Sequence, residues 1–281
     1  AVRVLVFLPR TEFRLGVPLM AVHNMLSNTL PFRVGEWSFV HYSKKLFGVE
    51  RPEGVAVLAV ARLFDLFAVA VLVLASSFFS SVKGGSVPAS IALVFLALGI
   101  LAVFILGSSL YARVLLWAGG KKWGWIGRRV WRTLFWVREH SSWRVFVPAL
   151  LVSVSLWIVH ALLSTTLAWG VGLHVSVLDM VFVASAVAFL SGIPIQGIAG
   201  LGTVEAWWSL LLASVGVPVA EAVALSFFLH GFFLVFGALF GIVSWFALRG
   251  RKYEVESEQG EKNAGEVKHS VHSIRKGKSV V

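Results

Sequence analysis

Ionisable side chains stand within long apolar stretches of this chain, where a charged group is costly unless it is paired or hydrated. Arg62 and Asp65 are three positions apart in one such stretch, so on a helix they share a face and can reach each other. One interpretation is a buried structural ion pair. The other is a pair that opens to receive an anionic group, because a guanidinium binds phosphate through two parallel hydrogen bonds.

Two further acids, Glu36 and Glu205, each follow a loop that contains glycine and proline, and the two loops belong to similar segments. Residues 48–64 and 216–232 are identical at six of 17 positions. The similarity indicates an internal duplication, and membrane carriers built from weak repeats place their site where broken helices meet. An offset of 168 or 169 residues pairs Glu36 with Glu205 and Arg62 with His230, which makes His230 a candidate as well.

The loop before Glu205 is rich in helix breakers. Residues 192–202 read Gly-Ile-Pro-Ile-Gln-Gly-Ile-Ala-Gly-Leu-Gly. They interrupt the apolar stretch 177–216, because proline lacks an N–H and glycine loses the most backbone entropy. Such glycines let the backbone approach a ligand, and the helix that follows would offer free N–H groups to an anion. The candidate binding glycines are Gly197, Gly200 and Gly202.

The polar side chains at the two broken segments have a structural and a functional interpretation each. Glu205 lies in the first turn of a helix, where the helix dipole favours a carboxylate; alternatively it couples to a proton or a substrate within the membrane. Arg33 and Glu36 bracket the first turn and either fix it or face a pathway. Gln196 supplies hydrogen bonds to a ligand or satisfies the backbone.

Composition identifies an integral membrane protein. The chain is 58% hydrophobic and 14% charged, with a mean hydropathy of +0.84, whereas soluble domains have about 25% charged residues. The net charge of +11 gathers between and after the apolar stretches, as in loops that face anionic lipid, so we expect no nucleic-acid partner. There is no cysteine, and we expect no metal and no other cofactor.

Apolar stretches long enough to cross a bilayer define a membrane domain over residues 15–248. A crossing helix needs about 20 apolar residues. Two other stretches, 15–31 and 177–216, are apolar but short or broken. The expected fold is an all-α polytopic helical bundle. Its four predicted crossings are Val55–Val82, Pro88–Ala112, Val145–Leu173 and Ala220–Leu248.

Basic residues set the expected orientation. Residues 113–144 and 249–281 hold eight Lys or Arg each, and residues 145–248 hold none. Both basic segments and both termini are therefore expected on the cytoplasmic side of the cell membrane. We expect an amphipathic surface helix in 113–144, a disordered tail in 249–281, and a cytoplasmic segment in 1–14 that is preceded by further sequence.

This orientation makes the duplication an inverted repeat. Helices 55–82 and 220–248 would run in opposite directions across the membrane. Residues 31–36 and 192–205 would then form the tips of two opposed re-entrant helical hairpins, with irregular backbone buried in protein or lining a cavity. The alternative is that these segments are full spans joined by interfacial loops.

The sequence resembles the transmembrane region of lysylphosphatidylglycerol synthases and the flippase-like membrane proteins built on it. The resemblance covers about residues 10 to 248. It implies a helical membrane domain that handles lipid, and its motifs contain most of the candidate residues above. The motifs are Leu30–Glu36, Ala61–Asp65, Ile193–Glu205 and Val215–Pro218.

The chain departs from the family pattern at four positions. Phe39 and His230 stand where Arg is common, Ala61 where an acid is common, and Ala199 where the loop usually has glycine. These departures put the identity of the substrate in doubt. They leave the expected fold unchanged.

The expected function is to bind a phospholipid or lipid-linked anion and translocate it between leaflets, with a membrane phospholipid or polyprenyl-type lipid as the partner. One alternative is an intramembrane lipid-modifying transferase. Another is a scaffold for a separate lipid or glycan synthase. The sequence has no His-Glu-x-x-His, Asp-x-Asp or serine-elbow motif, so we expect no enzymatic activity. Oligomeric state is left open.

Overall fold

The computed structural model describes residues 13–31, 34–81, 86–107, 143–192 and 197–277. Within these ranges the chain is helical and contains no β-strand. In chain order the helices are α1 Phe13–Thr29, α2 Glu36–Phe47, α3 Arg51–Ser77, α4 Ser86–Gly107, α5 Trp143–Gly170, α6 Val177–Leu190, α7 Thr203–Ser214 and α8 Val219–Gly277, with a short 3₁₀ turn at Ile198–Gly200 before α7.

Long apolar helices confirm the helical membrane fold. Three helical segments in the described part of the chain are long and apolar enough to cross a membrane: Arg51–Ser77, Val147–Gly170 and Val219–Arg249. They coincide with three of the four predicted crossings. The fourth prediction falls on α4, whose 22 residues extend about 33 Å as a helix.

Helix starts follow the local sequence. Ser176 caps α6, because its hydroxyl accepts a hydrogen bond from the Asp179 N–H at 3.1 Å. The Asp179 carboxylate in turn accepts the backbone N–H of Ser81 at 2.7 Å, which fixes the start of α6 to the chain that follows α3. Pro52 lies in the first turn of α3, where its missing N–H is no loss.

The helices of the two broken segments are short. α2 and α7 have 12 residues each and α6 has 14, so they extend about 18–21 Å, less than the roughly 30 Å of a bilayer's hydrocarbon core. None of the three can cross alone. This length is what a re-entrant hairpin requires; the hairpins themselves, and the inverted orientation of the two copies, stay predictions.

Each helix that begins a predicted repeat packs on the long helix of the other predicted repeat. α1 packs most extensively against α8, and α6 packs more extensively against α3 than against any other helix. The first helix of each copy therefore lies on the long helix of the other copy. This reciprocal packing fits the duplication predicted from the sequence, and it brings both broken segments to one interior.

The contact between α1 and α8 depends on a small residue. A Cβ built on Gly241 would collide with Met25 of α1, including its Cβ and Sδ atoms. Gly237, one turn earlier on α8, has open space around the same position. The close approach of the Met25 side chain to the α8 backbone at Gly241 explains why glycine stands there.

The last helix extends into the segment for which the sequence predicts a disordered tail. α8 continues to Gly277, across most of the tail expected to be disordered. Residues 249–277 contain no proline, and a helix already nucleated within the membrane propagates one hydrogen bond at a time without a new nucleation cost. Most of the expected cytoplasmic segment 1–14 lies outside the described residues. Almost all of the expected surface helix in 113–144 lies outside them as well.

Candidate functional site

One charged cluster joins the start of α2 to the middle of α3. The Arg62 Nη2 atom lies 2.9 Å from Oε1 of Glu36, and Nη1 lies 3.8 Å from Oδ2 of Asp65. The sequence predicted the pair between Arg62 and Asp65, and the two do form an ion pair. The shorter contact, however, is with Glu36, which arrives from another helix.

The guanidinium of this cluster is not fully satisfied. Its Nε atom is buried and has no hydrogen-bond partner. The Asp65 carboxylate also accepts a hydrogen bond from the Trp157 indole N–H of α5 at 3.4 Å. Two carboxylates thus face one cation, so an anionic ligand would bind Arg62 by replacing a carboxylate rather than by meeting an unpaired charge.

A second buried pair joins α7 to α8. The His230 Nδ1 atom lies 2.8 Å from Oε1 of Glu205. The other oxygen of Glu205 accepts the backbone N–H of Gly202 at 2.7 Å. Glu205 is 4% exposed and His230 is 7% exposed. The carboxylate is therefore satisfied at both oxygens, as a group in an apolar interior must be.

These two pairs occupy equivalent positions in the duplication. Glu36 corresponds to Glu205, and Arg62 corresponds to His230. In each copy the acid at the start of the short helix bonds to the base in the following long helix, at 2.9 and 2.8 Å. The sequence predicted the correspondence; the bond within each pair is a finding of the structure.

The glycine loop shapes the start of α7. Gly200 and Gly202 have φ angles of 70° and 83°, and between Gly197 and Gly200 the non-glycine residue Ala199 has a φ of 54°. Left-handed backbone of this kind favours glycine. Of the N–H groups expected to be free for an anion, that of Gly202 is already bonded to Glu205.

A cavity of about 1250 Å³ lies between the two copies. Arg62, Glu36, Asp65 and His230 line it. Glu205 and the three candidate glycines are not among its lining residues; Glu205 reaches the lining through its bond to His230. Arg33 and Gln196 lie outside the described residues.

The cavity also contains polar residues that the sequence interpretation missed. One face of α1 lines the cavity with Asn24, Ser27 and Asn28. From α5, Trp157 and His160 also line the cavity. The spacing of the α1 residues at i, i+3 and i+4 in an apolar helix was a usable signal. His160 carried no such signal, because only packing turns one face of α5 inward.

Aromatic and aliphatic side chains cover the rest of the wall. The lining includes Phe232, Phe236 and Phe240, which succeed one another at intervals of four residues along α8. The rings of Phe232 and Phe236 lie 4.3 Å apart. The cavity is thus amphipathic: charged and amide groups at one part can hold a polar headgroup, and a phenylalanine row can contact hydrocarbon.

Comparison with known proteins identifies the family. No curated protein and no solved structure matches the chain. The sequence model of one protein family, the lysylphosphatidylglycerol synthase TM region, matches residues 10–241. This part of the chain contains both predicted repeats and the cavity. The chain therefore belongs to the lysylphosphatidylglycerol synthase TM region family and is an integral membrane protein tied to lipid metabolism.

Proposed function

We propose that this protein binds the phosphate-bearing headgroup of a phospholipid or polyprenyl-type lipid at Arg62 and moves the lipid between leaflets of the cell membrane. The observation that carries the proposal is the placement of Arg62. Its guanidinium, with a buried Nε that has no partner, lies in the lining of an amphipathic cavity. Few side chains suit a phosphate better than the planar fork of arginine.

Cavity size and chemistry support a lipid ligand. Sites for small molecules are typically about 300–1,000 Å³, and this cavity is about 1250 Å³. Its phenylalanine row has apolar area for an acyl or prenyl chain. Asn24 and Asn28 of α1, which also line the cavity, add amide donors for headgroup oxygens.

Movement of the lipid would follow from exchange of partners at Arg62. When a phosphate replaces Glu36, the bond between α2 and α3 is lost, because the contact at 2.9 Å joins these two helices. The hairpin formed by α1 and α2 then keeps its apolar packing on α3 but loses this ion pair, which lowers the cost of moving the hairpin relative to α3. Such gating of one repeat against the other is how carriers with duplicated folds alternate access.

We further propose that both hairpins are re-entrant, that their tips meet near mid-membrane, and that both ends of the chain are cytoplasmic. The short lengths of α2, α6 and α7 support this arrangement, as does the absence of Lys and Arg from residues 145–248.

Lipid translocation in proteoliposomes tests the function. Fluorescent anionic lipids are introduced in one leaflet, and the wild type is compared with Arg62→Gln. The matched control is Lys44→Gln, which removes one positive charge from a half-exposed side chain outside the cavity. We expect Arg62→Gln to lose at least about tenfold in rate, since a hydrogen bond to a charged group contributes roughly 1.5–3 kcal/mol.

Two results would contradict the proposal. One is a wild-type protein that translocates no anionic lipid tested. The other is an Arg62→Gln variant as active as the Lys44→Gln control. Chromatography of the same lipids after incubation would detect a covalent product, which a translocator does not form but a transferase does.

A further inference from the structure

We propose that Trp157 is a positioning residue for the phosphate site: its indole N–H holds the Asp65 carboxylate away from Arg62, so that the guanidinium can accept a headgroup. The inference rests on the proposed function and adds the group that controls the site. Trp157 belongs to α5, whereas the charged side chains of the site come from α2 and α3.

The charges around Arg62 create the need for such a group. Glu36, Arg62 and Asp65 together carry one net negative charge, because two carboxylates face one guanidinium. When a headgroup with one negative charge replaces Glu36, this balance does not change. The headgroup can therefore bind well only if the remaining carboxylate is stabilised by a donor other than the guanidinium.

The indole N–H of Trp157 supplies this donor. It donates to Oδ1 of Asp65 at 3.4 Å, while the other oxygen, Oδ2, lies 3.8 Å from Nη1 of Arg62. A separation of 3.8 Å is too long for a hydrogen bond between nitrogen and oxygen. Of these two contacts of the Asp65 carboxylate, only the one with Trp157 is a hydrogen bond.

Ring packing positions the indole. The rings of Trp157 and His160, one turn apart on α5, pack edge to face with centroids 5.6 Å apart and an interplanar angle of 88°. The His160 ring in turn packs on Phe233 of α8, with 4.5 Å between the centroids. The direction of the N–H thus depends on aromatic contacts between α5 and α8.

Without this donor, Asp65 would pair more closely with Arg62. Asp65 is 8% exposed, and a buried carboxylate needs hydrogen bonds. Arg62, three residues earlier on the same helix face, can supply them. The closer pair would contain a charge-assisted hydrogen bond that a headgroup has to break, so loss of the indole N–H should weaken lipid binding.

Binding of dioctanoyl phosphatidylglycerol to the detergent-solubilised protein, measured by native mass spectrometry, tests the inference. Trp157→Phe keeps an aromatic ring and removes the N–H. We expect binding at least about threefold weaker than in the wild type, because hydrogen bonds to charged groups are among the stronger ones. The matched control is Trp207→Phe, which should bind as the wild type does: the Trp207 N–H has no hydrogen-bond partner, and Trp207 does not line the cavity.

A second comparison separates positioning from packing. In an Asp65→Ala background there is no carboxylate to hold, so the further change Trp157→Phe should alter the affinity by less than about twofold. A purely structural role of the Trp157 ring would weaken binding equally in both backgrounds.

The pairing of Asp65 with Arg62 can also be measured without lipid. Phenylglyoxal modifies guanidinium groups, and peptide mass spectrometry locates the modified arginine. In delipidated Trp157→Phe the closer carboxylate should slow modification of Arg62 at least about threefold relative to the exposed Arg51 of the same protein. Trp207→Phe should not change this ratio.

Melting temperatures establish that each variant is folded. If Trp157→Phe does not fold, Trp157→Met takes its place, because it also lacks the N–H and its flexible side chain fills irregular space.

The inference is overturned if Arg62 is modified at the same relative rate in Trp157→Phe and Trp207→Phe. It is also overturned if the two variants bind the lipid equally, or if the loss of binding persists in the Asp65→Ala background. The modification rate needs no lipid, so it decides the role of Trp157 even where no lipid is translocated. Failure of the proposed function appears instead in the comparison of Arg62→Gln with Lys44→Gln.

Discussion

Arg62 is held by two carboxylates from different helices, Glu36 of α2 and Asp65 of α3. A charged group in an apolar environment is stable only with such partners, so the pairing by itself is what any buried arginine would need. What is unusual is the buried Nε without a partner together with the cavity beside it. Those two features are the basis for proposing a ligand at Arg62.

Removal of the competing acid should strengthen ligand binding. In Glu36→Gln the guanidinium loses its nearest charged partner, so we expect the affinity for an anionic lipid to rise about tenfold, the equivalent of roughly 1.5 kcal/mol, and the occupancy of a co-purified lipid to rise with it. Native mass spectrometry measures the occupancy. Glu50→Gln, which removes an exposed acid at the start of α3, is the control, and equal occupancy in both variants would contradict exchange at Arg62.

Loss of the buried glutamate should destabilise the fold. Glu205→Ala leaves the Gly202 N–H and the His230 ring without their bonds, and an unsatisfied buried group costs about 1–3 kcal/mol. We expect a lower melting temperature in detergent. The control is Glu221→Ala, which removes an exposed acid in the first turn of α8 and should change stability less. If the melting temperature of Glu205→Ala is no lower than that of Glu221→Ala, the pair of Glu205 and His230 does not stabilise the fold.

At the scale of the elements, the contact of α1 with α8 joins the two copies. We expect Gly241→Ala to destabilise the protein by about 1–3 kcal/mol, because its new Cβ has no room beside Met25. Gly237→Ala is the matched control: no atom lies within 4 Å of its Cβ position, so higher helix propensity should make it neutral or stabilising. Thermal or denaturant unfolding in detergent compares the two. Equal effects would mean that α1 and α8 are not in close contact there.

For the whole molecule, the decisive prediction concerns topology. His174 and Ala220 are exposed residues before α6 and at the start of α8. Single-cysteine variants at these two positions should both react with a membrane-impermeant maleimide added to the outer side of the membrane. Cysteines at Glu50 and Arg249 should react from the inner side. The chain has no native cysteine, so no background needs removal. Reaction of positions 174 and 220 from opposite sides would instead make α6 and α7 a full crossing.

Sequence alone was enough for the class and for three helices long enough to cross the membrane, and it predicted the duplication. Burial in lipid depends on the hydrophobicity of each residue, summed locally over about 20 positions. The bounds of the three long apolar segments were therefore predictable within a few residues; these segments are α3 and the membrane parts of α5 and α8. The equivalence of Glu36 with Glu205, and of Arg62 with His230, was also readable.

Tertiary structure alone decided which groups meet. Glu36 and Arg62 are 26 residues apart, and their bond exists because the chain folds back between α2 and α3. Trp157 and His160 enter the cavity because α5 turns one face inward, which no local pattern specifies. The hydrophobicity of a segment is a local property of its residues. The cavity, in contrast, forms only because helices that are far apart in the sequence pack against each other. The sequence therefore identified the charged residues, and packing determined their partners.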